Sequence, residues 1–156
     1  MTEAINQEAA QALAQAAADA MWSRDNATHA LGMAIVSVAP GTAHLTMPVR
    51  TDMVNGHHIC HGGMIFSLAD TAFAYACNSY NKNTVASACS IDFLAPAKEG
   101  EVLHAEAVER SQAGRTGMYD ITVRTQAGKV VALFRGKSYR IQGEVIARLA
   151  QAAQQK

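Results

Sequence analysis

The stretch that decides the fold is His61-Gly62-Gly63-Met64-Ile65-Phe66-Ser67-Leu68-Ala69-Asp70-Thr71-Ala72-Phe73-Ala74-Tyr75-Ala76-Cys77. It holds no proline and is long enough for about four helical turns. It is apolar nearly all the way round, the pattern of a helix buried at the centre of a domain. Asp70 is the only charged residue between His61 and Lys82.

Strands are expected on both sides of this helix. Met33–Ala39 is β-branched, and Pro40-Gly41 is a turn signal. Thr42–Val49 alternates, with Ala43, Leu45 and Met47 on one face and Thr42, His44 and Thr46 on the other, so the two runs form a hairpin. Four more candidates follow the helix: Thr84–Leu94, Val102–Gln112, Gly117–Thr125 and Val130–Ile141. Turns at Glu99-Gly100, Ala113-Gly114 and Ala127-Gly128 are short, which predicts an antiparallel meander, because parallel strands need crossovers of about a dozen residues. The expected class is α+β, with one six-stranded antiparallel sheet wrapped round the long helix. Such a sheet covers one side of the helix. It leaves the other side, and at least one sheet edge, in need of a partner.

The flanks read differently. Residues 3–22 are rich in Ala and Gln, and Ile5, Leu13, Ala16, Ala20 and Met21 make only a weak stripe. This predicts a peripheral helix, ended by Ser23-Arg24-Asp25-Asn26. The tail, Glu144–Gln155, reads as a short amphipathic helix with Val145, Ile146 and Leu149 on one face. The organisation is then a helical extension (1–27), one domain (28–143) and a helical tail (144–156).

Composition narrows the function classes. The 156 residues are 49% hydrophobic and 17% charged, which is ample for a core and excludes a disordered chain. Thirteen basic residues balance thirteen acidic ones. A zero net charge argues against nucleic acid as partner and against a polybasic membrane anchor. Near neutrality is compatible with self-association. Cys60, Cys77 and Cys89 form an odd set without a CxxC, which fits free thiols in a reducing compartment. No apolar run reaches the ~18 residues of a membrane span. Met1–Glu8 lacks the basic start of a secretory signal. A cytoplasmic location is expected.

Three features carry chemistry. A buried carboxylate at Asp70 is costly unless paired; it is either a structural acid or a general base or nucleophile in a dry pocket. The glycines of His61-Gly62-Gly63 cost helix propensity at about 1 kcal/mol each. They expose first-turn N–H groups that could polarise an acyl carbonyl; a tight loop-to-helix corner is the plainer explanation. Asn55 could donate to the same oxygen, or simply make an Asn55-Gly56 turn. Gly62 and Asp70 are separated by about 12 Å of helix rise and lie on different sides. If both act on one carbonyl, the site needs two antiparallel copies, which predicts a twofold dimer with two interfacial sites.

Other clusters are weaker. His57, His58, Cys60 and His61 lie too close together to wrap one tetrahedral ion, and no second ligand pair follows, so no metal is expected. The three cysteines read as small buried residues. Arg135, Lys137 and Tyr139 share one strand face. With Arg115 and Arg124 they either hold a phosphate-bearing ligand or form a solvated, salt-bridged surface.

Asn55-Gly56-His57, Cys60-His61-Gly62-Gly63 and Ser67-Leu68-Ala69-Asp70-Thr71-Ala72-Phe73-Ala74-Tyr75-Ala76-Cys77-Asn78 together resemble the signature of the hotdog-fold acyl-CoA thioesterases, in their phenylacetic-acid-degradation branch. Ala86–Leu94 and Val131–Ser138 resemble it too, and the similarity spans roughly residues 28–143. The resemblance implies a hotdog fold and hydrolysis of acyl-CoA thioesters, with ring-hydroxylated phenylacetyl-CoA compounds favoured and no cofactor. It implies that Asp70 is the catalytic acid, that the Gly62 amide polarises the carbonyl, and that Asn55 and His61 support them. It also implies a tetramer of two dimers. Some related thioesterases use a serine or threonine to hold the attacking water. One turn after Asp70 this chain has Ala74, leaving Ser87 or Ser90 as substitutes. Gly63, Ser87, Ser90, Arg115, Arg135 and Lys137 are candidate contacts for substrate or coenzyme A. Two alternatives stand beside hydrolysis: a hotdog dehydratase or hydratase using His61, and a non-catalytic acyl-CoA-binding protein. Release of free thiol from acyl-CoA separates the three.

Overall fold

The computed structural model describes residues 2–146. Two helices, α1 (Thr2–Trp22) and α2 (Asn26–Ala30), precede the hairpin of β1 (Ala34–Ala39) and β2 (Thr42–Pro48). The long helix α3 (Gly62–Cys77) follows, then β3 (Thr84–Phe93), β4 (Val102–Ala113), β5 (Thr116–Thr125) and β6 (Val130–Arg140). All strand pairings are antiparallel, and the six strands form one sheet in the order β1-β2-β4-β5-β6-β3.

The sheet curls because its inward face must cover α3. Leu45 and Met47 of β2, Leu103 and Ala105 of β4, Ile121 and Val123 of β5, and Phe134 of β6 are buried with Leu68, Ala69, Ala72 and Phe73 of the helix. Gly136 brings helix and sheet close: a Cβ there would stand 2.8 Å from three atoms of the Phe73 ring. The helix is not buried all round. Gly63 is exposed, and Ser67, Asp70, Thr71 and Ala74 are only partly covered, so one stripe faces away from the sheet.

The expected four-strand meander is corrected. Only β4, β5 and β6 form one; β3 pairs with β6 at the far edge, and β4 pairs with β2. The Glu99-Gly100 turn is therefore not a hairpin. Residues 94–101 run across the end of the sheet, where Leu94 N–H donates to the Val131 carbonyl (2.9 Å) and Gly100 N–H to the Val49 carbonyl (2.9 Å). Loop length permitted a hairpin, but long-range pairing of β3 with β6 decided otherwise. The result leaves β3 with one neighbour, and most of its residues are exposed on both faces.

Two more expectations change. Ser23–Asn26 does not simply end a helix, because Asp25 caps α2, its carboxylate accepting from Thr28 N–H at 3.2 Å. Nor is α1 merely peripheral. Ala14 and Ala18 join the main core, Ala17 and Ala20 pack with Val145, and the Gln11 amide donates to the Val38 carbonyl (2.7 Å). Small side chains give a weak apolar stripe but let the helix lie close to the domain. The expected tail helix over Glu144–Gln155 lies outside the described residues beyond Ile146.

Candidate active site

The loop before α3 is built by hydrogen bonds to Asn55. Its Oδ1 accepts from the N–H groups of His57 (2.9 Å) and Ile59 (3.4 Å), and its own N–H donates to the Ile59 carbonyl (2.9 Å). Because Oδ1 is the acceptor, the Nδ2 end of the amide is left as a donor. The turn that the Asn55-Gly56 pair suggests is thus compatible with a free donor on the same side chain.

The first turn of α3 has few donors left. His61 is the N-cap; its Nδ1 accepts from Gly63 N–H (2.9 Å), and its carbonyl accepts from Met64 (2.9 Å) and Ile65 (3.4 Å). Among the described residues, no acceptor meets the Gly62 N–H. That donor sits at the positive end of a 16-residue helix. With Nδ1 accepting from Gly63 N–H, Nε2 is the ring nitrogen left to donate.

Asn55 and Gly62 line one cavity of about 490 Å³, together with Ile59, Cys60, Ile65, Phe93, Leu94, Ala95 and Pro96. Its walls are otherwise apolar. Phe93 is 53% exposed, and its ring lies over Gly62, where a Cβ would meet Cζ at 2.9 Å. Asp70 does not line this cavity. It stands eight residues further along α3, at the margin of the partly covered stripe, beside the edge strand β3. Burial pushes its carboxyl above the usual range, partly opposed by the thiol of Cys89, whose Sγ donates to Oδ1 at 3.9 Å.

The remaining candidates do not converge. The Gly63 N–H is taken by the His61 cap. The Ser87 hydroxyl donates to the Lys137 carbonyl (3.0 Å), and these two residues share a hollow of about 300 Å³. Ser90 pairs with Arg135 on the outward face of the sheet, while Cys89 and Ile91 point inward, so Ser90 lies away from Asp70 of its own chain. Arg135 is bound to Asp120 through Nε–Oδ1 (2.7 Å) and Nη2–Oδ2 (3.0 Å), and Arg110 joins the same carboxylate at 3.0 Å. This guanidinium belongs to a surface salt-bridge cluster. Arg115 is exposed at the β4–β5 turn, its carbonyl accepting from Arg140 N–H at 2.7 Å. Arg124 reaches the Gly128 carbonyl at 3.5 Å, and Tyr139 shares the outward face of β6 with Arg135 and Lys137.

The cysteines are thiols, not thiolates. Burial pushes Cys60 and Cys89 up to about 11 and Cys77 up to about 12. None is an activated nucleophile. His57 and His58 are exposed on the loop, whereas Cys60 is buried. Sequence reasoning missed the meeting of Cys89 with Asp70. The clue was alternation along β3, which puts Cys89 and Ile91 on the inward face.

A sheet wrapped round a helix whose first turn offers a free N–H beside an apolar cavity is the hotdog arrangement. The sequence profile of the thioesterase superfamily matches residues 57–132. Acyl-coenzyme A thioesterase PaaI of Escherichia coli is 55% identical over 128 residues, which are 82% of this chain and 91% of that one. The structure of the E. coli PaaI protein from the phenylacetic acid degradation operon superposes with a TM-score of 0.85 at 53% identity, covering 86% of this chain and 97% of that one. A mutant of the phenylacetic acid degradation protein PaaI from Thermus thermophilus gives a TM-score of 0.72 at 38% identity, covering 75% and 100%. A Streptococcus mutans protein bound to acetyl CoA gives 0.68 at 26% identity, covering 72% and 90%. The fold is thus that of the hotdog thioesterases. The chain belongs to the thioesterase superfamily.

Proposed function

We propose that the chain hydrolyses aryl-CoA thioesters of the hydroxyphenylacetyl type to the free acid and coenzyme A, within cytoplasmic phenylacetate catabolism. The observation that carries this reading is the unaccepted Gly62 N–H at the wall of an apolar cavity, with the Asn55 amide beside it. A thioester carbonyl seated there would receive a backbone donor strengthened by the helix dipole. Phe93 gives the cavity an aromatic face, which suits an aryl group. The 55% identical acyl-CoA thioesterase supports the same chemistry.

In this reading Asp70 activates a water as general base or attacks the carbonyl directly. Its raised carboxyl is a better base near neutral pH than an ordinary aspartate. Coenzyme A leaves as a thiolate and needs little acid assistance. His61 supports the site as the cap of α3. Because that cap occupies the acceptor lone pair of Nδ1, that nitrogen is not free to take a proton from a substrate, as dehydratase chemistry would require of a base.

The site is completed by a second copy. Asp70 is about 12 Å of helix rise from Gly62 in its own chain, so one carbonyl meets both only across two antiparallel helices. Two features support such a dimer. The stripe of α3 that carries Asp70 is only partly covered, and among the described residues β3 is an unprotected edge with Val85 45% and Phe93 53% exposed. Antiparallel pairing of two β3 edges continues the sheet and sets the two α3 helices side by side. A tetramer of two such dimers is the assembly that the family resemblance implies.

The test is a turnover screen across aryl-, short-chain and long-chain acyl-CoAs, following free thiol. Fastest release from hydroxyphenylacetyl-CoA is expected. Binding without thiol release would overturn hydrolysis, and preference for long chains would overturn the aryl assignment.

A further inference from the structure

Among the described residues, Asp70 has few electrostatic companions. Toward α3, strands β2, β4, β5 and β6 turn Leu45, Ala105, Ile121 and Phe134. Titratable side chains at the ends of these inward faces are bonded to each other: Tyr119 donates to Glu109 (2.7 Å), and Tyr75 of α3 donates to Asp25 (3.2 Å). Cys77, on the helix itself, is engaged with the Ala74 carbonyl (3.5 Å). Cys89 of β3 is left, and its Sγ lies 3.9 Å from Asp70 Oδ1.

The placement of Cys89 follows from the register of the sheet. Cys89 pairs with Gly136, whose missing side chain is replaced by the Phe73 ring. A slip of the ladder between Ala86 and Ala88 sets Ser87 off the regular alternation. The inward positions that follow are Cys89, Ile91 and Phe93, and of these only Cys89 carries a donor. Its thiol is held protonated through neutral pH, so it remains a donor when the carboxyl is ionised.

We propose that Cys89 is a positioning residue for Asp70, its S–H donating to the carboxylate and fixing where that carboxylate points. This rests on the reading of Asp70 as the catalytic acid. A donor to the ionised form stabilises it, so losing the donor raises the carboxyl. Cys89 is thereby a determinant of the pH at which the enzyme switches on, although it touches no substrate.

The experiment compares Cys89→Ala and Cys89→Ser with the unmodified full-length protein. Two readouts are taken: the Asp70 carboxyl titration by carbon-13 NMR, and the pH profile of kcat/KM with hydroxyphenylacetyl-CoA. Cys89→Ala should move both the Asp70 titration and the acid limb upward by about half a pH unit, the scale of one weak hydrogen bond to a charge. Cys89→Ser restores a donor at the same Cβ and should return both toward their original positions. An unmoved Asp70 titration in Cys89→Ala overturns the proposal, even if the melting temperature falls, since packing alone would do that. A titration that moves while the acid limb stays fixed upholds the contact and overturns Asp70 as the acid.

Discussion

Asp70→Asn is expected to raise stability while removing activity. Asn is nearly isosteric with Asp, so the packing of α3 should survive. Among the described residues the carboxylate meets one thiol donor at 3.9 Å and no cation, and burial pushes its pKa up. A raised carboxyl means that the folded chain binds the proton more tightly than the unfolded one. Ionisation therefore costs stability above the folded-state pKa, and this cost fades as pH falls toward the unfolded value of about 3.9. Asp70 is only half-buried, so solvent screens the effect, and a gain below about 1 kcal/mol follows on neutralisation. On a domain of this size that is about 1–3 °C in melting temperature. Turnover should fall about 10²-fold or more with loss of the base. Thermal melts at pH 7 and pH 4, with thiol release from an aryl-CoA, check both halves. The gain should be present at pH 7 and nearly absent at pH 4. Undiminished turnover would show that Asp70 is not the base, and a melting temperature lowered at pH 7 alone would show that its ionised form is stabilised in the fold.

Gly136→Ala should destabilise the fold by about 1–3 kcal/mol, because its Cβ would overlap a Phe73 ring that is 1% exposed and cannot retreat; denaturant unfolding measures it. Phe93→Ala should raise KM for aryl-CoA more than for acetyl-CoA with little change in stability, since the ring is half exposed; steady-state kinetics on both substrates decides. Asp120→Asn should leave kcat/KM within about twofold, because the Arg110–Asp120–Arg135 cluster is a surface network of small energetic worth.

Much of the architecture was legible because local chemistry and long-range packing agree there. The apolar run Gly62–Cys77 has no way to be solvated, and the alternation of Ala43, Leu45 and Met47 matches the buried face of β2. The place of β3 was not legible, since turn residues report loop length and not which strand lies across the sheet. Helix α2 was hidden in five residues with one cap, Asp25. The docking of α1 was hidden because alanines bury little area each.

The site divides the same way. Gly62 and Asn55 stand close in the chain, so one loop and one helix start bring them to the same cavity. Asp70 and Cys89 are 19 residues apart, and their contact depends on the register of β3 against β6. The pairing of Arg135 with Asp120 was within reach, because a β5–β6 hairpin turning at Ala127-Gly128 sets the two opposite one another.

A site shared between two copies can be tested by mixing two inactive variants. Gly62→Pro removes the backbone donor at the first helical position, where the proline ring suits the helix start, and its Cβ, 2.9 Å from Phe93 Cζ, must push that half-exposed ring aside. His61 already holds the extended backbone a following proline requires, with φ −61° and ψ 132°. Asp70→Asn removes the acid. Circular dichroism and a sizing column first establish that both variants fold and assemble. If each site takes Gly62 from one chain and Asp70 from the other, a mixed dimer holds one intact site and one doubly defective site. Dissociating and reassociating the two variants together should then restore thiol release, up to half the native rate per mixed dimer. Folded mixed dimers that stay inactive would contradict the shared site, since a site built within one chain leaves a defect in every copy.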